Sequence, residues 1–230
     1  MKDLAALLRW SKKLEIKDQS GNVVETVYVR LVGDLDYQEA QQCALISSRK
    51  LRKKLRDKTT TNYDSLFLDL EEKSKEDIMF GILMAEMGTF RDLAVEDLGD
   101  DVLKLPEYDS SLEEREEYQQ KQEETAQEKI DLLKAKMDEK YENRKKELDE
   151  KPMEELQQIY IASTINVKCL EIFSTTFRDY CCFSGTYIDG KFTKKAFNSF
   201  EEYRNVVPMV KRQILDTYLS LEMSGEQLKN

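Results

Sequence analysis

The amino-acid sequence predicts a mainly α-helical protein with one N-terminal β-hairpin and a long, projecting, charged helix. Three observations lead to this fold class. The 230 residues include only 8 Gly and 3 Pro, which sheet-rich folds use in their many turns. Charged residues make up 36% of the chain, and its abundant Glu, Lys, Leu and Gln favour helices. A clear pattern of alternating β-branched residues is found only near the N-terminus.

The hairpin is predicted from two alternating stretches that flank a turn. Residues Leu14–Lys17 and Val23–Val32 have the period of strands, and Asp18–Asn22 between them contains Ser, Gly and Asn. These residues tolerate positive φ or hydrogen-bond their own backbone. A hairpin alone is only marginally stable in water, so it is expected to pack on a helix or pair with another chain. The long second strand could leave an edge open to a partner.

A first helix is predicted from Asp34 or Asp36, either of which can cap its start, to about Arg56. A polar break is expected over residues 59–63. These elements belong to an N-terminal domain that we expect to span residues 1–106.

The second helix of this domain is predicted to begin at Ser74, because Ser74 and Asp77 have the spacing of a capping box, and to end at Leu98. Gly81 and Gly88 on this helix either are simply tolerated or allow a close helix contact. The face expected to be buried contains Ile78, Ile82, Leu83, Met87, Phe90 and Ala94.

A long charged helix is predicted over residues 112–151, which contain neither Gly nor Pro. Its apolar residues occupy too few of the three- and four-residue steps for a stable coiled coil of its own. We therefore expect residues 107–152 to form a projecting arm. Either a partner or the chain folding back would cover the thin apolar seam of this arm.

The C-terminal unit, residues 153–230, is predicted to contain helices around an aromatic core. The first helix starts after Pro152 and ends near Cys181, with an apolar stripe at Ile159, Ala162, Leu170, Phe173, Phe177 and Tyr180. A turn or small hairpin follows over residues 185–192. Ser199 begins the last helical stretch, which Pro208 bends or restarts.

The chemistry open to the chain is limited because it contains no His. Ser-His-Asp and Cys-His pairs, His-containing metal sites and His-based pH switches are therefore excluded. Carboxylate pairs such as Glu113 and Glu114 lie in hydrophilic stretches where both groups stay ionised. No glycine-rich nucleotide-binding motif is present. We expect a protein that is not an enzyme and uses no cofactor and no metal.

Cysteine usage and hydropathy predict a cytoplasmic protein. The spacing of the four cysteines fits reduced thiols better than a disulfide framework: Cys43, Cys169, Cys181 and Cys182. No stretch has the length and apolarity that a bilayer requires, so no membrane partner is expected.

A basic run is the most prominent local feature, since seven of the ten residues from Arg49 to Lys58 are Lys or Arg. Because the chain has a net charge of −10 and no aromatic residue interrupts the run, an acidic protein surface is a better partner than nucleic acid. A solvated helix end is the simplest alternative. The predicted partner-binding residues here are Arg49, Lys50, Arg52, Lys53 and Arg56.

Aromatic residues are dense between residues 173 and 203. Their helical spacing favours a core between the last helices, and the alternative is a surface for an apolar peptide of a client protein. Phe173, Phe177 and Tyr180 are the partner-binding candidates of this group.

Several of these features resemble the tail assembly chaperones of long-tailed bacteriophages and related phage-like elements. They are the hairpin up to Asp34, the basic helix from Ala44, the long charged helix, and Ser199-Phe-Glu-Glu-Tyr before a helix closing on Glu226-Gln-Leu-Lys-Asn230. The resemblance covers most of the chain. It implies a helical, non-enzymatic factor that binds the tape-measure protein and recruits tail-tube subunits, and it assigns no functional residue.

Three functions are consistent with the sequence. The first is an assembly chaperone or adaptor for a helical client, located in the host cytoplasm if a phage encodes it. The second is a structural virion or scaffold protein that self-associates, because residues 1–62 have a net charge of +5 and the remainder −15. The third and least favoured is a nucleic-acid-binding accessory factor.

Overall fold

The structure, a computed structural model, describes residues 11–99 and 115–227; for residues 115–123 and 223–227 it describes the backbone alone. In this part of the chain the protein is mainly helical with a small antiparallel sheet, which confirms the predicted fold class. Residues 112–114 of the predicted long helix lie outside the described residues. In chain order the elements are β1 Ser11–Lys17, β2 Val23–Arg30, α1 Asp34–Arg56, α2 Thr61–Phe67, α3 Lys75–Leu98, α4 Arg115–Asp149, α5 Met153–Gly185, β3 Thr186–Tyr187, α6 Phe200–Arg204 and α7 Pro208–Gln227.

The hairpin forms as predicted. β1 and β2 pair antiparallel, with Leu14 opposite Val27. In the turn, the Asp18 carboxylate accepts hydrogen bonds from the backbone N–H groups of Ser20 at 2.8 Å and Asn22 at 2.9 Å. Gly21 has a φ of +85°, a left-handed conformation that glycine adopts without a Cβ penalty. These local interactions close the turn and therefore fix the pairing of the two strands.

Helix α7, from the far end of the sequence, covers the apolar face of the hairpin. Val27 lies in one core with Ile214 and Tyr218 of α7. The Gln213 side chain accepts a hydrogen bond from the Lys17 N–H and donates one to the Lys17 carbonyl, both at 3.0 Å. The prediction that the hairpin packs on a helix is therefore confirmed.

The other edge of β2 is partly occupied by the chain itself. β3 pairs antiparallel with β2 at Tyr28 and Val29. The sequence predicts only a turn or small hairpin over residues 185–192, and on that prediction the edge of β2 is open to a partner. The structure corrects that expectation at Tyr28 and Val29, because Thr186–Tyr187 provides the neighbouring strand.

The N-terminal ends of three helices are capped by side chains. Ser74 and Asp77 form the predicted reciprocal capping box of α3. The Ser199 hydroxyl accepts a hydrogen bond from the backbone at the start of α6, and a new helix begins at Pro208, as predicted. Thr60 caps α2, a short helix that replaces most of the predicted polar break.

Packing groups the chain into two compact units. Unit 1 consists of Met1–Lys54 and Lys168–Asn230, and unit 2 of Leu55–Val167. This grouping differs from the three consecutive domains that the sequence analysis placed at 1–106, 107–152 and 153–230, which stay a prediction. The buried core of unit 1 contains Ile16, Val27, Val29, Ala40, Cys181, Cys182, Tyr203, Ile214, Tyr218 and Leu221.

Helix α4 is packed on α3 at its C-terminal end, where the sequence analysis expected a projecting arm. Leu148 is fully buried in the core of unit 2, and the ring of Tyr141 meets that of Phe90 edge-on at 6.3 Å. The Arg144 guanidinium donates two hydrogen bonds to the Glu86 carboxylate, at 2.9 and 3.1 Å. The apolar seam of this helix was expected to be covered either by a partner or by the chain folding back. At the C-terminal end of α4, the chain itself covers the seam. The buried core of unit 2 contains Ile78, Met79, Ile82, Leu83, Phe90, Leu148 and Leu156.

The apolar stripe predicted for α5 is partly wrong. Leu170 is 65% exposed and Ala162 is also exposed, whereas Leu156 and Cys169 are buried. The reason is that α5 belongs to unit 2 up to Val167 and to unit 1 beyond it, so one continuous stripe does not describe its packing.

The two glycines of α3 differ in their surroundings. A Cβ on Gly81 would overlap the ring of Tyr160, whereas nothing lies within 4 Å of a Cβ on Gly88. We expect Gly88→Ala to stabilise the protein by about 0.5–1 kcal/mol, because Ala loses less backbone entropy in a helix. Gly81→Ala should destabilise it by about 1–3 kcal/mol, because Tyr160 must move. Urea unfolding measures the free energy of unfolding of each variant. Equal changes in this free energy for the two variants would contradict the close contact between Gly81 and Tyr160.

Candidate protein-binding surfaces

The predicted basic residues lie along the second half of α1. Arg49, Lys50, Lys53 and Arg56 are exposed, and Arg52 is half-buried. In the described part of the chain, none of these five side chains forms an ion pair with a carboxylate. We call these five residues the basic half of α1.

The basic half is exposed because the opposite side of α1 packs inward. Ala40 and Ala44 are fully buried, and the Ser48 hydroxyl donates a hydrogen bond to the Cys169 carbonyl at 2.9 Å. The helix therefore has one packed side and one charged side. Cations three and four residues apart on a helix repel one another, and an acidic partner would relieve this repulsion.

The predicted aromatic residues Phe173, Phe177 and Tyr180 lie on α5 and are half-buried. Phe177 and Tyr180 pack against the core of unit 1. The Tyr180 hydroxyl donates a hydrogen bond to Glu39 at 2.9 Å, and burial together with this bond raises the pKa of Tyr180 to about 12. The core interpretation therefore accounts for Phe177 and Tyr180, and a partner-binding role for the three stays a prediction. Across the described residues, no cation–π contact joins them to the basic half.

Unit 2 has a groove between α3 and α4 that the sequence analysis did not identify. Its volume is about 500 Å³. Phe80 at its edge is 59% exposed, and Met84, one helical turn away, is 53% exposed. The sequence does contain an indication of this groove, because Phe80 and Met84 are apolar and both lie outside the face predicted to be buried. The α3–α4 groove is lined by Glu76, Met79, Phe80, Leu83, Tyr141, Glu142, Lys145, Lys146 and Asp149.

The α3–α4 groove combines an apolar surface with charges of both signs. Lys145 and Lys146 provide the positive charges, and the carboxylates belong to Glu76, Glu142 and Asp149. Such a surface can bind apolar side chains, while the charges set the orientation of the bound molecule. The hydrogen bonds from Arg144 to Glu86 connect the two helices that form it.

The thiols of Cys181 and Cys182 are not activated nucleophiles. All four are free thiols; Cys169, Cys181 and Cys182 are buried, and Cys43 is half-buried. Burial raises the pKa of Cys181 to about 11 and that of Cys182 to about 12. Both thiols therefore stay protonated at neutral pH, and the thiolate is the nucleophilic form.

Within residues 11–99 and 115–227, no three His, Cys, Asp or Glu side chains are grouped so that they could hold a metal ion. None of the helices in these ranges is both long and apolar enough to cross a lipid bilayer. The chain matches no protein-family model, no characterised protein and no solved structure.

The different burial of the cysteines predicts their order of reaction. In the native protein, we expect a thiol reagent to modify Cys43 first and the three buried thiols only after unfolding. Absorbance of the released thionitrobenzoate, with and without denaturant, counts the reactive thiols. Cys43→Ser should remove the fast phase. Fast modification of any of the three remaining thiols in the Cys43→Ser variant would contradict the burial of Cys169, Cys181 and Cys182.

Proposed function

We propose that the protein is a non-enzymatic assembly chaperone or adaptor of the phage-tail type, and that it binds an amphipathic helix of its client in the α3–α4 groove. The exposure of Phe80 is the observation that supports this most directly. A large apolar side chain at the edge of a groove is typical of a surface that another molecule covers.

A helix is the occupant that suits the α3–α4 groove best. The groove lies between two packed helices, where the side-chain ridges of a third helix can insert. Phe80 and Met84 are one turn apart, and the apolar anchors of an amphipathic helix recur at the same spacing. The positive and negative residues around the groove would pair with charges that flank the apolar face of that helix.

The resemblance to tail assembly chaperones suggests which protein provides the helix. In that family the factor binds the tape-measure protein and recruits tail-tube subunits. A tape-measure protein is long and helical, so it contains many amphipathic turns of the required kind. The protein would then act in the cytoplasm of the host cell. The alternative is that it remains in the virion as a structural component.

Co-expression with the tape-measure-type protein of the same genome tests this proposal. We expect a soluble complex that survives affinity purification and size-exclusion chromatography. Phe80→Ala should weaken binding at least about 30-fold, because truncation of a central aromatic anchor costs about 2 kcal/mol or more. Binding would be measured by titration calorimetry with a client fragment taken from the purified complex.

Leu68 supplies a matched control for Phe80. It belongs to the same unit and is 79% exposed, but it does not line the groove. Leu68→Ala should leave the affinity unchanged. Recovery of the two proteins unassociated would count against the chaperone function, and equal losses for both variants would count against the groove as the binding site.

A further inference from the structure

Helix α1 has an exposed face that is apolar at its centre. Ile46 is 53% exposed, its neighbour Leu45 is also exposed, and Leu35 near the start of the helix is 79% exposed. Leu45 is the middle residue of α1 (Asp34–Arg56). Exposed apolar side chains therefore lie both near the start of α1 and at its midpoint.

The charges of α1 are divided at this midpoint. Asp34, Asp36 and Glu39 lie in the first half, and the basic half occupies the second. Acids at the N-terminus and bases at the C-terminus of a helix interact favourably with its dipole, but this effect is limited to the first and last turns. Arg49 lies two turns before the end of the helix, so the dipole does not account for it.

One face of α1 carries the exposed leucines and part of the basic half. Positions 35, 38, 42, 45, 49 and 52 follow one another at alternating steps of three and four residues, which is the spacing of a coiled-coil seam. The residues are Leu35, Gln38, Gln42, Leu45, Arg49 and Arg52, and all except the half-buried Arg52 are exposed. The fully buried Ala40 and Ala44 lie on the other side of the helix.

We infer that α1 is a self-association surface, at which two copies of the chain pair antiparallel about a two-fold axis between Leu45 and Ile46. Antiparallel pairing places the acidic half of each α1 against the basic half of the other. A parallel pair would place like charges together and is therefore unfavourable. A two-fold interface uses the same surface on both copies, and this helix is complementary to itself.

The pairing brings opposite charges to the same level. Glu39 of one copy lies at the level of the basic half of the other. The Glu39 oxygen Oε2 accepts the hydrogen bond from Tyr180, and Oε1 remains available to a guanidinium. Leu45 and Ile46 of the two copies meet at the centre, where their apolar surface is removed from water. No residue of the α3–α4 groove takes part.

Paired charge variants test the inference. Arg49→Glu, Lys50→Glu, Arg52→Glu and Lys53→Glu together make both halves of α1 acidic, and Asp34→Lys with Glu39→Lys makes both halves basic. We expect the unaltered chain to sediment as a dimer at about 100 μM in low salt and to dissociate as salt rises. Each variant alone should dimerise at least about tenfold more weakly. A mixture of equal amounts of the two variants should restore a dimer, because every acidic half then meets a basic half.

Controls separate this surface from general charge effects. The control variant carries four substitutions at exposed lysines outside α1: Lys12→Glu, Lys134→Glu, Lys191→Glu and Lys194→Glu. It changes the net charge as much as the acidic variant does and should leave the dimer intact. If Asp34→Lys disturbs the start of the helix, Asp36→Lys with Glu39→Lys replaces the basic variant in the mixture, with circular dichroism as the check of folding.

Three results would overturn the inference. The first is a monomer at every salt concentration. The second is a mixture of the two folded variants that stays monomeric. The third combines two observations: the unaltered chain forms no dimer, and it shifts a DNA or RNA duplex in a low-salt gel whereas the acidic variant does not. That result would assign the basic half to nucleic-acid binding.

Discussion

The burial of the hairpin's apolar face is the constraint on which unit 1 depends. Two strands cannot bury that face by themselves, so Val27 and Val29 are covered by side chains from the other end of the sequence, including Ile214 and Tyr218. Ala40 of α1 belongs to the same core. Because this core holds one side of α1, the other side of the helix, with its central leucine and isoleucine and its divided charges, must face outward.

Local interactions made much of the fold predictable from the sequence. The Asp18 turn and the Ser74 capping box depend on residues within a few positions of one another, and both formed as predicted. The strand Thr186–Tyr187 was not predictable, because two residues carry no periodic signal and the strand exists only beside β2. The burial of α5 was misjudged for a similar reason, since its two ends pack in different units.

The candidate surfaces were predictable to different degrees. A run of cations on a helix is almost always exposed, so the sequence alone located the basic half of α1. The α3–α4 groove depends on residues about 60 positions apart, Met79 and Phe80 on one helix and Tyr141 and Lys145 on the other. In the sequence, Phe80 is one apolar residue among many on α3. Only the packing of α4 determines which of these residues are buried and which line a groove.

The two proposed surfaces would reinforce each other on a long helical client. A dimer formed through α1 would carry two copies of the α3–α4 groove. Once one groove holds a segment of the client, the second groove meets a neighbouring segment at a high effective concentration. Modest affinity at each groove would then give tight binding to a long repeated partner and weak binding to an isolated helix. This difference would suit the proposed assembly chaperone, whose client is a long helical protein.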